Sequence, residues 1–316
     1  MISELGPLPS SDSKYMRRIR VHQAWYRSSV LGVAQYGRLA GSQQPCGSIL
    51  PDEAASRFMN FHSDEAISHY KFRRKKGWGV EPVRCTSYLT SSQTLTFNML
   101  GPVVEKPNSC AALFNAILER TDLVRLDSFD FEYSAFGTPL SLGDRTLVDL
   151  LLRFTTDDNG LQVVAVETKL GDRFSTRRTA GMNGNAYRDL AASRGLWDSM
   201  ERALAETKTR QLTRCHALAE SVQRNADRSG LRNSILLLLH HDLDASASHC
   251  IDTYRRMMRR PNSLAGSGWS DFSTHAVLAG ALDPRLNQTL RRRYIDLEAS
   301  EDHWRQLGAS GKGFQR

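Results

Sequence analysis

The chain has 316 residues, with 42 Lys and Arg against 34 Asp and Glu, which gives a formal net charge of +8 at pH 7. Hydrophobic residues make up 40% and charged residues 24%, ordinary values for a globular protein that exclude a largely disordered chain. No apolar run approaches the roughly 20 residues that a membrane-spanning helix needs. The five cysteines are scattered and form no CxxC pair, which argues against a disulfide scaffold and a structural zinc site. We therefore expect a cytoplasmic protein with no membrane partner.

The positive charge is gathered in clusters along the chain. These are Arg17, Arg18 and Arg20; Arg73, Arg74, Lys75 and Lys76; Arg177 and Arg178; Arg255, Arg256, Arg259 and Arg260; and Arg291, Arg292 and Arg293. A nucleic-acid backbone rewards many separated cations, because each cation that neutralises a phosphate releases a counterion. A single cluster is better explained by a solvated helix face, but five clusters in one basic chain favour a nucleic-acid partner.

Residues 1–85 predict an accessory helical region. Apolar residues recur with helical spacing from Lys14 to Tyr36, and Pro, Gly and Ser then mark a loop at 41–51. A short segment at 57–70 follows before the pattern changes near residue 86.

Between residues 86 and 245 helices alternate with strands, which predicts an α/β core with a mixed sheet flanked by helices. The predicted bounds are 91–100 and 109–120 for two helices, 128–137, 146–154 and 161–170 for three strands, 185–227 for a long helical region and 233–241 for a last strand. Asn159 and Gly160, between the second and third strands, are a strong hairpin signal. Residues 246–316 predict a helical extension that packs on the core, with a loop at 261–268.

Three charged residues interrupt the apolar strands of the predicted hairpin. Glu167 and Lys169 are two residues apart, so both side chains project from one face of their strand. Asp149 interrupts the preceding strand, and a turn at 158–160 places it within one or two positions of the residue opposite Glu167. A charge in an apolar strand is costly unless it has a partner or a function. The three side chains are therefore predicted to converge on one patch of the sheet.

Two carboxylates and a main-chain carbonyl are the oxygen ligands that a hard divalent cation requires. We expect Asp149, Glu167 and the Thr168 carbonyl to bind such a cation. Lys169 is expected to orient a water molecule and to stabilise charge on a phosphate. The alternative is a buried ion pair that only stabilises the hairpin. Because all three charged residues break apolar strands, we favour the catalytic interpretation.

The pattern Asp149…Glu167-Thr168-Lys169 resembles the D…(D/E)xK signature of the PD-(D/E)XK nuclease superfamily. The predicted element order is similar to the αβββαβ core of its restriction-endonuclease-like fold, although Val148 stands where the signature usually has proline. Further segments resemble one bacterial branch of nuclease-like proteins; they are 20–27, 91–98, 145–149 and 211–219. The resemblance implies a Mg²⁺- or Mn²⁺-dependent phosphodiesterase that acts on DNA, with a role in bacterial restriction or defence.

Further residues are weaker candidates for supporting the site. In related nucleases a glutamine on the helix after the third strand faces the site; Gln211 matches that position, and Arg214 follows on the same helical stripe. Both could instead bond backbone groups beside the sheet. Glu132 on the first strand could add a ligand, although an exposed strand glutamate is the simpler interpretation. The resemblance alone suggests that Gln93 and Asn98 face the site.

The favoured function is a cation-dependent DNA endonuclease. The residues expected to contact nucleic acid are Arg73, Arg74, Lys75, Lys76, Arg145, Arg177 and Arg178. One alternative is a nucleic-acid-binding or scaffolding protein that keeps the nuclease fold without turnover, and another is a nuclease that acts on RNA. Nucleases of this type that cut both strands often pair two active sites, so the resemblance is also compatible with a homodimer.

Overall fold

A five-stranded mixed sheet contains the predicted hairpin. The computed structural model describes residues 2–178, 185–226 and 232–309. The strands are β1 (Leu123–Tyr133), β2 (Val148–Thr156), β3 (Leu161–Lys169), β4 (Ile235–His240) and β5 (Leu264–Gly268), in that spatial order. β1, β2 and β3 pair antiparallel, whereas β3, β4 and β5 pair parallel.

Helices precede, separate and follow the strands. Before β1 they are α1 (Ile2–Leu5), α2 (Lys14–Trp25), α3 (Asp52–Ser56), α4 (Asp64–Arg74), α5 (Pro82–Ser87), α6 (Ser92–Val104) and α7 (Pro107–Ile117), with a π-helical turn at Tyr26–Val30. Between β3 and β4 they are α8 (Asn185–Arg194), α9 (Met200–Ala205) and α10 (Arg210–Ala226). After β4 they are α11 (Ala245–Arg255), α12 (Trp269–Leu278), α13 (Pro284–Tyr294) and α14 (Glu301–Ala309), with 3₁₀ turns at Pro261–Ser263 and Leu297–Ser300. The order α7, β1, β2, β3, α10, β4 confirms the predicted αβββαβ core with extra helices at both ends.

The chain divides into two compact units. The first contains Met1–Pro102, Leu170–Asp172 and Asp283–Arg316, and the second contains Val103–Lys169 and Arg173–Leu282. The whole sheet lies in the second unit. The division into regions 1–85, 86–245 and 246–316 rests on composition and stays a prediction.

The central strands are apolar because both of their faces are covered. Every residue of β4 is buried, and in β3 every residue after Leu161 is buried. Strands covered on both faces are near-continuous runs of aliphatic residues, and burying each aliphatic side chain contributes about 1.5–3 kcal/mol. A carboxylate or an ammonium group in such a strand therefore stands out as functional or paired.

The turn of the β2–β3 hairpin is stabilised by Asp158. Its Oδ1 accepts hydrogen bonds from Thr156 Oγ1 at 2.7 Å and from the Gly160 N–H at 3.0 Å. Asn159 between them has a φ of 60°, a left-handed conformation that asparagine adopts more readily than most residues. The turn chemistry therefore agrees with the hairpin that Asn159 and Gly160 predicted.

The register of this hairpin sets the position of the charged residues. Paired residues run from Thr155–Leu161 to Leu150–Val166, so the next position places Asp149 opposite Glu167. On neighbouring antiparallel strands, opposite residues share a face of the sheet and their Cβ atoms lie roughly 4.5–5.5 Å apart. The register thus brings the two carboxylates together on one face.

The first unit is held together in part by a buried arginine. Arg27 donates hydrogen bonds to the carbonyl oxygens of Gly47 at 2.8 Å, Ala34 at 2.7 Å and Glu4 at 2.6 Å. One guanidinium thereby ties the π-helical turn at Tyr26–Val30 to α1 and to two non-helical segments. The segment 20–27 ends at this residue, so at least one of its polar side chains is structural.

Several predicted bounds differ from the structure. The first strand was expected at 128–137 but is Leu123–Tyr133, and the first helix was expected to reach Tyr36 but ends at Trp25, with the π-helical turn ending at Val30. Two further differences have a local reason. The segment 261–268 was expected to be a loop, but its second half is β5. A Cβ atom at Gly266 would lie 2.4 Å from Ile251 Cδ1 of α11. Position 266 therefore requires glycine, a residue with low strand propensity. The first core helix was expected to stop at Gly101 and Pro102, yet α6 continues to Val104. Val103 and Val104 are almost fully buried, which offsets the hydrogen bond that proline cannot donate.

Within the described ranges, none of the helices has the length and apolar character that crossing a lipid bilayer requires. All five cysteines are buried and none forms a disulfide.

Candidate active site

Asp149 is held at the point where β2 and β3 stop pairing. Its Oδ2 accepts hydrogen bonds from the Thr168 N–H at 2.7 Å and from Thr168 Oγ1 at 2.8 Å. The Asp149 carboxylate thus accepts the Thr168 N–H, which would otherwise continue the hydrogen-bond ladder between β3 and β2. Its second oxygen, Oδ1, accepts no hydrogen bond among the described residues.

Glu167 and Lys169 form a buried ion pair at the end of β3. Lys169 Nζ donates to Glu167 Oε1 at 2.8 Å, and the two side chains are 6% and 2% exposed. Lys169 Nζ also lies 5.1 Å from the centre of the Phe174 ring. This pair is the contact that the purely structural alternative requires, so its presence alone does not distinguish the two interpretations.

Gln211 on α10 connects this pair to the loop after β3. Its Nε2 donates to Glu167 Oε1 at 2.5 Å, and its Oε1 accepts from the Ser175 N–H at 2.7 Å and from Lys169 Nζ at 3.5 Å. The amide therefore holds the carboxylate and the ammonium group in one orientation. The structure places Gln211 against the charged patch, as the resemblance implied.

Burial and neighbouring charge determine the ionisation of the patch. Burial, followed by the negative charge of Glu167, raises the pKa of Asp149 to about 7, although Lys169 and the two hydrogen bonds from Thr168 oppose the shift. Burial also raises the pKa of the Cys215 thiol well above its usual value, and Glu167 adds to that effect. Two adjacent negative charges are thus disfavoured in this site, which is the condition that a bound cation relieves.

Cys215 is a residue of the site that the sequence analysis did not single out. Its Sγ lies 3.5 Å from Glu167 Oε2 and 3.4 Å from the Leu147 carbonyl oxygen. Its position four residues after Gln211, on the same helical face, is a signal that could have identified it. Ser175 and Phe174 also contact the site, but they lie in a loop without periodic pattern, so nothing in the sequence indicates them.

Arg214 lies beside the charged patch but has few contacts. It is 7% exposed, and its Nη1 is 3.4 Å from Thr146 Oγ1. It follows Gln211 by three residues, so both side chains lie on one face of α10.

Glu132 is positioned next to Asp149 in the β1–β2 ladder. The pairs Phe131–Leu150 and Tyr133–Val148 leave Glu132 opposite Asp149. Its φ is 49° and the residue is 3% exposed, which corrects the expectation of an exposed strand glutamate. A non-glycine residue in this conformation costs of order 1–3 kcal/mol and is typical of functional sites. Its role as a ligand stays a prediction.

Gln93 and Asn98 make their hydrogen bonds within the first unit. Gln93 Nε2 donates to the Gly79 carbonyl at 2.8 Å, and Asn98 Nδ2 donates to the Asn60 carbonyl at 3.0 Å and to the Tyr294 hydroxyl at 2.8 Å. These contacts explain both side chains structurally. A role of either residue in the site stays a prediction.

The predicted nucleic-acid contacts differ in exposure. Arg74, Lys75, Lys76, Arg145, Arg177 and Arg178 are exposed. Arg73 is only 5% exposed, and its guanidinium lies 5.9 Å from the centre of the Trp78 ring. Arg73 therefore packs against its own unit, because it occupies the inner face of α4. Arg145 stacks on the exposed Phe136 ring at 4.7 Å, four residues before Asp149.

The donor set fits a hard divalent cation that keeps water ligands. Across 2–178, 185–226 and 232–309 there is no group of three His, Cys, Asp or Glu side chains that could hold a metal ion. The donor set of the site is therefore two carboxylates and one main-chain carbonyl. Mg²⁺ is typically bound by one or two carboxylates together with waters and substrate phosphates. The oxygens with the weakest contacts are Asp149 Oδ1 and Glu167 Oε2, so these are the atoms available to it.

Comparisons with known proteins agree with the geometry. A family model described as the PD-(D/E)XK nuclease superfamily matches residues 10–296. Searches among curated proteins and among solved structures found no match.

Proposed function

Since the chain belongs to the PD-(D/E)XK nuclease superfamily, we propose that it hydrolyses phosphodiester bonds of DNA in a reaction that depends on Mg²⁺ or Mn²⁺. The observation that carries this proposal is the β2–β3 register, which sets Asp149 opposite Glu167 with Lys169 on the same face. The site is composed of two carboxylates, an ammonium group and an amide. That composition suits phosphoryl transfer, in which positioning and charge stabilisation do most of the catalysis.

Asp149, Glu167 and the Thr168 carbonyl are the proposed cation ligands. The N–H and C=O groups of one strand residue point to the same edge of the strand. Because the Thr168 N–H donates to Asp149 on β2, the Thr168 carbonyl is expected to point toward β2 as well. A bound divalent cation would supply Lewis acidity and a water of lowered pKa. Glu132 is the proposed additional ligand or water-binding group.

Lys169 is proposed to orient the attacking water and to stabilise the charge that develops on the phosphate. Its ammonium group is held by Glu167 Oε1, by Gln211 Oε1 and over the Phe174 ring. A group fixed in this way needs no reorganisation as the reaction proceeds, which is why preorganised charge is effective. Gln211 acts through Lys169 and Glu167 and is therefore a positioning residue.

Cleavage assays with purified protein test this function. Supercoiled plasmid, linear duplex, single-stranded DNA and RNA are incubated with Mg²⁺, with Mn²⁺ or with EDTA. We expect cation-dependent cleavage of DNA and none in EDTA. Cleavage of RNA alone would replace the proposed substrate, and no cleavage of any substrate would favour a scaffolding protein in which the Lys169–Glu167 pair is only structural.

The biological setting that we propose is cytoplasmic restriction or defence in bacteria. The resemblance supports the defence role, and the five buried thiols without disulfides are compatible with a reducing compartment. Cleavage of both strands would be served by two copies of the site in a homodimer. Analytical ultracentrifugation with and without duplex DNA tests that arrangement.

Binding to duplex DNA is expected to depend steeply on salt, because exposed cations neutralise phosphates. Affinity should fall about tenfold or more between 50 and 200 mM salt. Replacing Arg145, Arg177 and Arg178 together by alanine should lower the slope of log Kd against log salt by about 2–3. Replacing Arg255 and Arg256, which are also exposed, is the control and should change the slope less. A salt-independent Kd of the wild-type protein would contradict the proposed interface.

Cation binding is expected to weaken below neutral pH, because Asp149 must lose its proton before it can bind a metal. Burial and Glu167 raise its pKa to about 7, so below that pH a proton competes with the cation. The apparent affinity for Mn²⁺ should fall by up to about tenfold for each pH unit below 7 and be nearly constant above about pH 8. Calorimetric titration in buffers of different ionisation enthalpy should show proton release near pH 7. An affinity that is equal at about pH 6 and about pH 8 would refute this expectation.

A further inference from the structure

Arg214 is a buried cation for which the surrounding protein provides little compensation. Its Nη1 makes a single long hydrogen bond, 3.4 Å, to Thr146 Oγ1, and its Nε is buried without a hydrogen-bond partner. Among the described residues it forms no ion pair. Removing a charge from water without an acidic partner is expensive, so an arginine in this position suits an anion that the protein itself does not contain.

The other buried arginines of this unit show the usual arrangement. Arg194 Nε donates to Glu220 Oε1 at 2.5 Å. Arg210 donates to the carbonyl oxygens of Leu204 at 2.7 Å, Thr176 at 2.6 Å and Ala205 at 2.9 Å. Each of these guanidinium groups is occupied by protein acceptors, in contrast to Arg214, which precedes Cys215 on the same helix as Arg210.

The nearby acid Asp144 is already engaged. Its Oδ1 accepts from the Thr146 N–H at 3.0 Å and its Oδ2 accepts from the Tyr187 hydroxyl at 2.8 Å. Asp144 thus orders the turn that presents Thr146, three residues before Asp149. It does not form an ion pair with Arg214.

Arg214 also lies close to the charged patch. Glu167, Arg214, Asp149 and Lys169 all act electrostatically on the Cys215 thiol, which places the guanidinium among the same group of charges. On α10 it shares a face with Gln211, whose amide contacts Glu167 and Lys169. The unmatched positive charge is therefore part of the surroundings of the active site.

We propose that Arg214, assisted by the Thr146 hydroxyl, forms an anion subsite that binds a backbone phosphate of the nucleic acid next to the cation-binding carboxylates. This inference rests on the proposed function. A guanidinium presents several N–H donors in one plane, which suits the oxygens of a phosphodiester better than an ammonium group does. Apart from the single bond from Nη1 to Thr146, the Nη groups have N–H donors that a phosphate can use.

Binding of inorganic phosphate to the metal-free protein tests the subsite without turnover. Thermal unfolding is followed as phosphate is added to the wild-type protein and to the variants Arg214→Met, Arg214→Lys and Thr146→Val. The wild-type Tm should rise with phosphate, and Arg214→Met should weaken phosphate binding by about 10- to 100-fold, the range for hydrogen bonds to a charged group. Arg214→Lys should retain part of the response. Arg224→Met, at an exposed position of the same helix, should respond like the wild type.

Two further readouts separate phosphate binding from a structural role. Because Arg214→Met removes a buried charge without an acidic partner, its Tm without phosphate should equal or exceed that of the wild type. With a nucleic acid that the wild type cleaves, Arg214→Met should raise KM by about tenfold or more and change kcat less, as expected when an interaction is present in both the ground state and the transition state.

The outcomes that overturn the inference are distinct from those that overturn the proposed function. An unchanged phosphate response of Arg214→Met, or a wild-type protein whose Tm does not respond to phosphate, would exclude the subsite. A lower Tm of Arg214→Met with unchanged KM would make Arg214 a structural residue. A wild-type protein that binds phosphate through Arg214 but cleaves no nucleic acid would leave the subsite standing and refute the nuclease.

Discussion

Asp149→Asn is expected to abolish cation-dependent cleavage and at the same time to stabilise the metal-free protein. The asparagine oxygen can still accept the two hydrogen bonds from Thr168, so the local geometry is preserved. Loss of one of two carboxylate ligands should lower the cleavage rate by more than about 10³-fold, since metal catalysis contributes several kcal/mol.

The stabilisation follows from the raised pKa of Asp149. An acid whose pKa rises from 3.8 in the unfolded chain to about 7 in the fold favours the protonated native state, so stability falls as pH rises from about 4 to 7 and then levels off. Above pH 7 the variant lacks this penalty of about 2–4 kcal/mol, and its Tm should be several degrees higher. Excess Mn²⁺ should raise the wild-type Tm and leave the Tm of the variant almost unchanged.

Asp157→Asn provides a matched control for this experiment. Asp157 is exposed in the turn at the other end of the same hairpin, so the same chemical change should affect neither cleavage nor the response to Mn²⁺. Cleavage by Asp149→Asn at the wild-type rate would show that the activity comes from another site or from a contaminating protein.

Lys169→Met is expected to lower the cleavage rate by about 10²-fold or more while metal binding is retained. Methionine keeps the aliphatic length of the side chain, but the group that orients water and stabilises phosphate charge is lost. Without Lys169, the buried Glu167 keeps the Gln211 amide but loses its cationic partner, so the metal-free variant should have a lower Tm than the wild type. A divalent cation should then restore stability, and the Tm gain of Lys169→Met on adding Mn²⁺ should exceed that of the wild type.

The structural alternative makes a different prediction for the same variant. If the pair only stabilises the hairpin, removing one partner should cost ~3–5 kcal/mol whether or not Mn²⁺ is present. Lys208→Met, at an exposed position, is the control for loss of a lysine. Equal destabilisation of Lys169→Met with Mn²⁺ and with EDTA, together with wild-type cleavage, would refute the role proposed for Lys169.

The features that could be predicted from sequence are those in which a local pattern determines the structure. Asn159 and Gly160 predicted the hairpin, and the alternation of helices and strands predicted the αβββαβ core. Asp149, Glu167 and Lys169 were conspicuous because each interrupts a run of aliphatic residues in its strand. The spacing of Glu167 and Lys169 then placed them on one face, where the structure shows them in contact.

The features that could not be predicted depend on tertiary packing. β5 contains small residues because Gly266 must accommodate Ile251, and a strand of this kind has no distinctive composition. Arg73 belongs to a charged cluster, yet the rotation of α4 turns it inward, and a run of basic residues does not indicate which member faces inward. Cys215 looked like one more apolar residue of α10 until the fold placed its thiol beside Glu167. That Arg214 has no acidic partner among the described residues depends on which residues surround it in the fold, and the sequence alone does not provide those neighbours.

The measurement that decides most directly whether Asp149 and Glu167 share a catalytic cation is X-ray diffraction from crystals grown with Mn²⁺ and a short uncleaved DNA duplex, with data collected where manganese scatters anomalously. We predict an anomalous peak in contact with the carboxylates of Asp149 and Glu167, with Lys169 directed toward the DNA phosphate next to that peak. Crystals of Asp149→Asn should show no such peak. A peak elsewhere, or a wild-type crystal in which Mn²⁺ leaves both carboxylates uncoordinated while the protein cleaves DNA, would contradict the assignment of this site.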